Sequence, residues 1–178
     1  MTEFVISDTH FNHANILHFR DEFNHLIRGK MFRDIQEHDD YIVDQWNSVV
    51  NEKDTVFHLG DCHFGKAIAA QYLDKLYSRL NGRKYLILGN HDQAHDPLLQ
   101  THFKKIMGAT VDKKNRFLFT HIPAHMMLSD EEMRHYDINV HGHIHHQDAP
   151  SAKHINVAVE RIGYTPQRLS DLREKYGN

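Results

Sequence analysis

Asp8 and His10 stand two residues apart, Asp61 follows Gly60, and Asn90, His91 and Asp92 follow Gly89; His121 closes an apolar run, and His143 and His145 follow Gly142. Imidazole nitrogen, carboxylate oxygen and amide oxygen are donors for divalent transition metals. Two ions about 3.5–4 Å apart need a bridging group, terminal donors on each side and open positions for water and a phosphate oxygen. A carboxylate is the natural bridge. In an extended segment Asp8 and His10 point to the same side and can grip one ion. His143 and His145 share that spacing, but so do His141 and His143, and spacing alone leaves the register of the His-x-His pair open. Gly89-Asn90-His91-Asp92 sets an amide oxygen beside an imidazole able to protonate a leaving group, with Asp92 placed to orient that ring.

In this order the patches resemble the calcineurin-like metallophosphoesterase family, whose signature runs D-x-H, G-D, G-N-H-D or G-N-H-E, H and G-H-x-H. All five occur between residues 8 and 145, and the chain looks most like the short, cap-less members found in bacteria and phages. The resemblance implies one ion held by Asp8, His10, Asp61 and His145, and a second by Asp61, Asn90, His121 and His143, with Asp61 as the bridge. It also selects His143 and His145 as the His-x-His pair. His91 becomes the histidine that is not a ligand, stabilising charge on phosphorus or protonating the leaving oxygen. Asn90, His91 and His13 are the residues expected to meet substrate. The implied chemistry is in-line attack on phosphorus by a metal-bound hydroxide. Mixed nitrogen and oxygen donors suit manganese, iron, zinc or nickel better than calcium, and manganese is the expected pair of ions.

The elements that must position these residues follow one pattern, an apolar strand running into a polar loop. Residues 3 to 7, 54 to 59, 84 to 88, 116 to 120 and 137 to 141 read as strands that end at Asp8, Asp61, Asn90, His121 and the 143–145 pair, and 154 to 159 as a further alternating strand. Asp34 with Glu37 looks like a capping box opening an amphipathic helix to about residue 50. A second helix carries Ile68, Leu73, Leu76, Tyr77 and Leu80 on one side and ends at Asn81-Gly82. In open α/β folds the ligand site lies beyond the carboxyl ends of the strands, so five such loops can converge on one crevice. The fold expected is α/β, a four-layer α/β/β/α sandwich with two mixed sheets, its layer order coming from the resemblance.

The chain has 178 residues, 40% of them hydrophobic, enough for one domain over residues 1–178 with a continuous core. Its single cysteine, Cys62, excludes an internal disulfide and multi-thiolate metal sites. Eighteen histidines are an excess that metal chemistry would explain. No apolar run reaches the roughly 20 residues of a membrane span, and a cytoplasmic protein without membrane contact or an obligate protein partner is expected. The net charge of −3 disfavours a module that grips long nucleic acid. His63, His125 and His146 read equally as site-flanking or surface histidines and stay outside the metal shell, while bland readings are preferred for Cys62 as a small buried hydrophobe and for His38-Asp39 as a solvated helix face.

The function expected is hydrolysis of a phosphodiester, because the chain has no evident cap to enclose a small monoester; the substrate itself is left open among nucleotide, nucleic-acid-derived and lipid-headgroup esters. A phosphomonoesterase or protein phosphatase is the alternative enzyme. A catalytically silent metal-binding scaffold is the alternative of a different class, although such proteins usually lose ligands that this chain keeps.

Overall fold

The computed structural model describes residues 1–65, 69–126, 129, 131 and 135–177. Glu3–Ile6 (β1), Thr55–His58 (β2), Arg83–Ile87 (β3), Lys105–Met107 (β4) and Gln167–Arg168 (β9) form one sheet in the order β4-β3-β2-β1-β9. Its first four strands are parallel and β9 is antiparallel. Thr110–Asp112 (β5), Phe117–Phe119 (β6), Ile138–His141 (β7) and His154–Asn156 (β8) form the other, with β5 antiparallel to β6 and the rest parallel. The fold is therefore α/β with two mixed sheets. Four α-helices are present among the described residues: Ile35–Val49 (α1), Ala70–Arg79 (α2), Pro97–His102 (α3) and Leu169–Tyr176 (α4).

Period-2 alternation sorts β1 between two cores. Phe4 and Ile6 pack with Val56 and Leu86 against Ile42, Val43 and Trp46 of α1 and Leu73, Leu76 and Tyr77 of α2. Val5 faces the other way, into a cluster with Leu59, Ile87, Phe117, Phe119, Ile138, Val140 and Ile155 that joins the two sheets. The sheets are also stitched by backbone bonds from Ser7 N to Val157 O (3.0 Å) and from Val159 N to Ser7 O (3.1 Å).

The expected strand starts and stops hold to within one or two residues for β1, β2, β3, β6 and β7. Asp34 caps α1 by accepting from Glu37 N at 2.9 Å, but Glu37 reaches back to Arg33 N rather than to Asp34. Ile68, expected on the second helix, lies outside the described residues. Beyond Asn156 the chain is buried continuously from Val157 to Val159 instead of alternating, because it threads between β1 and the second sheet. His38 and Asp39 correct their reading: both are fully buried, since α1 turns them toward Arg28 and the loop that follows β1 and not to solvent.

His58 at the end of β2 is another buried polar group. It is 1% exposed, its Nε2 lies 2.9 Å from Thr9 Oγ1, and its Nδ1 accepts from Gly60 N at 3.2 Å. That pattern requires a neutral ring, and burial lowers its pKa to about 3. Because the folded pKa is depressed, the stability the neutral ring supports is complete above the unfolded value near 6.5 and is lost as pH falls below it. The loss at pH 5 should be about 2 kcal/mol. Urea unfolding of chelated protein at pH 7 and pH 5 should therefore show a steeper decline for wild type than for His58→Gln; equal declines would refute the assignment.

Candidate metal centre

Each loop that follows β1, β2, β3, β6 and β7 delivers its Asp, Asn or His to the same end of the sheets. Asp8 and Asp61 are buried beside His10 and His121. Asp61 Oδ2 lies 3.7 Å from His10 Nε2 and 3.4 Å from His121 Nε2, which places this carboxylate between two imidazoles. Asp8 Oδ1 lies 3.8 Å from His10 Nε2 and 4.0 Å from His145 Nε2. Asn90 Oδ1 sits 2.9 Å from His121 Nε2 and 3.0 Å from His143 Nδ1. All seven expected ligands thus converge. Among the described residues, the donor groups whose atoms lie within 4.8 Å of one another are Asp8, His10 and His145, and Asp8, Asp61 and His121.

The backbone that aims them differs from the extended geometry expected. Asp8 (φ 59°), His10 (φ 48°), Asp61 (φ 54°), His143 (φ 70°) and His145 (φ 47°) are all left-handed, as is Asn12 (φ 61°). Such residues cost on the order of 1–3 kcal/mol each and persist where surrounding contacts hold them, most often at functional sites. Asp8 and His10 therefore meet because two left-handed residues fold the loop back, not because a pleat puts both on one side. Gly60 makes the β2 loop possible: its φ is +98°, and a Cβ there would stand 2.5 Å from Gly89 N and 2.7 Å from His121 Nδ1.

Two contacts set ring tautomers. His121 Nδ1–H donates to Leu59 O at 2.7 Å, and His145 Nδ1–H donates to Glu160 Oε1 at 2.8 Å, leaving each Nε2 directed at a carboxylate. His143 N–H donates to Asp8 Oδ2 at 3.0 Å, and His91 N–H to Asp61 Oδ1 at 3.0 Å. Asp8 Oδ1 and both ring nitrogens of His10 are buried and make no hydrogen bond. Buried polar atoms without partners are costly, and two of these, Asp8 Oδ1 and His10 Nε2, are metal-donor atoms 3.8 Å apart. The residues present fit divalent cations on that ground.

The electrostatics agree. Burial raises the Asp8 carboxyl and lowers His10 to about 2, with Arg28 adding to the second effect. Burial also opposes charge on Asp61 and His121, but their mutual contact outweighs it, holding Asp61 below the usual carboxylate range and His121 up at about 9. A proton on His121 thus does part of the work a cation would do beside Asp61.

His91 is exposed at the rim, its ring centroid 6.0 Å from that of His10 and 4.9 Å from that of Phe64. His13 stacks on Phe64 at 4.0 Å and lies 5.6 Å from His10, close enough to flank the centre. Asp92 is corrected: its carboxylate takes the N–H groups of Asp61 (2.8 Å), Cys62 (2.9 Å) and Gly89 (2.9 Å), so it clamps two loops together and does not orient the His91 ring. His141 lies apart from the centre, with Nδ1 at Gly142 O and its ring near His154. Arg28 and Glu160 were not anticipated. Glu160 directly follows a strand-like run, as the ligands do, and that signal could have found it; Arg28 sits in a polar loop with no distinguishing pattern.

No helix among the described residues is long and apolar enough to cross a membrane. No family model matches the chain. A crystal structure of a protein of unknown function from Aquifex aeolicus shares the fold with a TM-score of 0.74 and 27% identity, covering 98% of both chains. The gene 66 protein of Mycobacterium phage L5 is 35% identical over 103 residues, which are 58% of this chain and 44% of the phage protein. An uncharacterized protein of Methanocaldococcus jannaschii is 32% identical over 171 residues, 93% of this chain and 86% of that protein. The chain belongs to one family with this archaeal protein.

Proposed function

We propose that the protein is a calcineurin-like metallophosphoesterase, a four-layer α/β/β/α catalytic domain that hydrolyses phosphodiesters with two divalent cations. The observation that carries this reading is the Asp61 carboxylate set between His10 and His121, with Asn90 Oδ1 shared by His121 and His143. Asp8, His10, Asp61 and His145 would hold one ion, and Asp61, Asn90, His121 and His143 the other. Manganese suits this donor set, as do iron, zinc and nickel. When bound, the pair supplies Lewis acidity, lowering the pKa of a water and drawing charge from the phosphoryl oxygens.

The chain's own residues supply the rest. His91, exposed beside the buried donors, is placed to give a proton to the leaving alkoxide oxygen. Its backbone N–H holds Asp61 Oδ1, so the loops that carry the proton donor and the bridge are tied to each other. Asn90 orients the phosphoryl group through its amide, and the His13–Phe64 stack forms a wall at the rim. A rim of this kind, with no cap among the described residues, accepts a diester with two substituents more readily than it encloses a monoester.

Metal-stripped protein should be inactive on bis-p-nitrophenyl phosphate and regain turnover on addition of manganese, with slower release from mono-p-nitrophenyl phosphate. Preference for the monoester would move the reading to a phosphomonoesterase or protein phosphatase. Tight binding of two ions without turnover of either ester would favour a metal-binding scaffold.

A further inference from the structure

Arg28 is fully buried, yet its guanidinium is spent on the metal-proximal loop instead of on a surface partner. Its Nη2 donates to Asp8 O at 2.7 Å and its Nη1 to Thr9 O at 3.2 Å. The same group holds Glu160 through Nε at 2.8 Å and Nη2 at 2.7 Å. Both contacts fall on Glu160 Oε1, the oxygen that also accepts His145 Nδ1–H, while Oε2 is buried and makes no hydrogen bond. An ion pair selected for stability would use both oxygens, and buried pairs are in any case poor sources of stability. All of Glu160's partners converge on the one oxygen that fixes the His145 ring.

The arrangement continues on the other side of Arg28. Nη1 donates to His38 Nε2 at 3.1 Å, so His38 carries its proton on Nδ1 and donates to Asp39 Oδ1 at 2.8 Å. Asp39 Oδ2 in turn accepts from Asn12 N at 2.8 Å and from Tyr72 OH at 2.9 Å. Three peptide groups of residues 8–12, the stretch with left-handed residues at 8, 10 and 12, are therefore gripped by Arg28 and by Asp39 of α1, which Glu160 and Tyr72 of α2 hold in turn. Strained backbone of this kind persists only where neighbours over-determine it.

We propose that Arg28 and Glu160 are a positioning pair that presets His145 and the Asp8–His10 loop, and so govern the ion held by Asp8, His10 and His145 separately from the ion held by Asn90, His121 and His143. The proposal rests on the two-cation reading of the centre. Ligand-orienting carboxylates of this kind are worth about 10–100-fold in metal affinity.

Calorimetric titration of manganese into metal-stripped protein separates the two ideas. Wild type should bind two ions. Glu160→Gln should bind one ion with wild-type affinity and the other about 10–100-fold more weakly. If the loss of charge beside Arg28 prevents folding, Glu160→Asp keeps the negative charge beside Arg28 while withdrawing the carboxylate by one methylene, and the same one-site weakening is expected. Folded variants that bind both ions as wild type does, or lose both equally, overturn the positioning role and leave the two-cation reading standing. Wild type that binds no ion overturns both.

Discussion

Asp61→Asn should leave the fold intact and reduce phosphodiester turnover by on the order of 10³-fold, with weakened binding of both ions. The substitution is nearly isosteric, and asparagine tolerates the left-handed conformation that residue 61 adopts at φ 54°. The loop is also held independently of the side chain, because Asp92 grips the N–H groups of Asp61 and Cys62. What changes is the charge between His10 and His121. Of the seven expected ligands, only Asp61 stands between imidazoles assigned to different ions, at 3.7 and 3.4 Å, so its loss should be felt at both positions rather than at one. His121 should also lose the main contact that holds its pKa near 9 against burial. Metal content by elemental analysis, turnover of bis-p-nitrophenyl phosphate and far-ultraviolet circular dichroism together decide the matter. A folded variant with two tightly held ions and wild-type turnover would rule out the bridge.

Removing the ions from wild type should itself lower stability, since a ligand at about 100 times its dissociation constant contributes about 2.7 kcal/mol. The direction follows from the unpartnered Asp8 Oδ1 and His10 Nε2, which gain a partner when a cation binds. A melting temperature unchanged by chelation and manganese addition would argue that these atoms do not hold metal.

The ligands were legible in the chain because each occupies the first polar positions after an apolar strand, and strand ends are where periodicity changes most visibly. Asp8 after 3–7, Asp61 after 54–59 and His121 after 116–120 all follow that rule. Short edge strands were not legible. β4, β5 and β9 run two or three residues, and their pairing is set by long-range neighbours rather than by local pattern. His38 and Asp39 were misread for a related reason. An acidic residue and a histidine on a helix look solvated until a buried guanidinium from another loop is placed against them, and nothing in residues 20–33 marks Arg28 as that partner. The role of Asp92 was likewise invisible, because carboxylate-to-backbone contacts depend on where two distant loops meet. Left-handed backbone at the ligands leaves no composition signal either, beyond the general tolerance of Asp, Asn and His for it.

Gly142→Ala should disable the centre more completely than its size suggests. A Cβ at residue 142 would collide with Asp8 Oδ2 and Ser7 Oγ, and would stand 2.7 Å from Ser7 Cβ. Neither oxygen is free to move away. Asp8 Oδ2 accepts the His143 N–H at 3.0 Å, and Ser7 Oγ donates to Leu59 O at 2.9 Å, in the bonds that tie the β1 and β7 loops and the start of the β2 loop together. The methyl group must therefore push Asp8 off His143 or spread β1 from β7, and either motion moves Asp8 and the 143–145 pair apart. Overpacking of this kind typically costs about 1–3 kcal/mol of stability, while the displaced ligands should cost metal affinity by about 100-fold or more. Gly108→Ala is the control, since a Cβ there meets nothing within 4 Å. Chemical unfolding and manganese titration of the two variants give the comparison: a large loss of affinity confined to Gly142→Ala is expected. Two variants that bind manganese equally well would mean that the close approach of Gly142 to Asp8 does not shape the site.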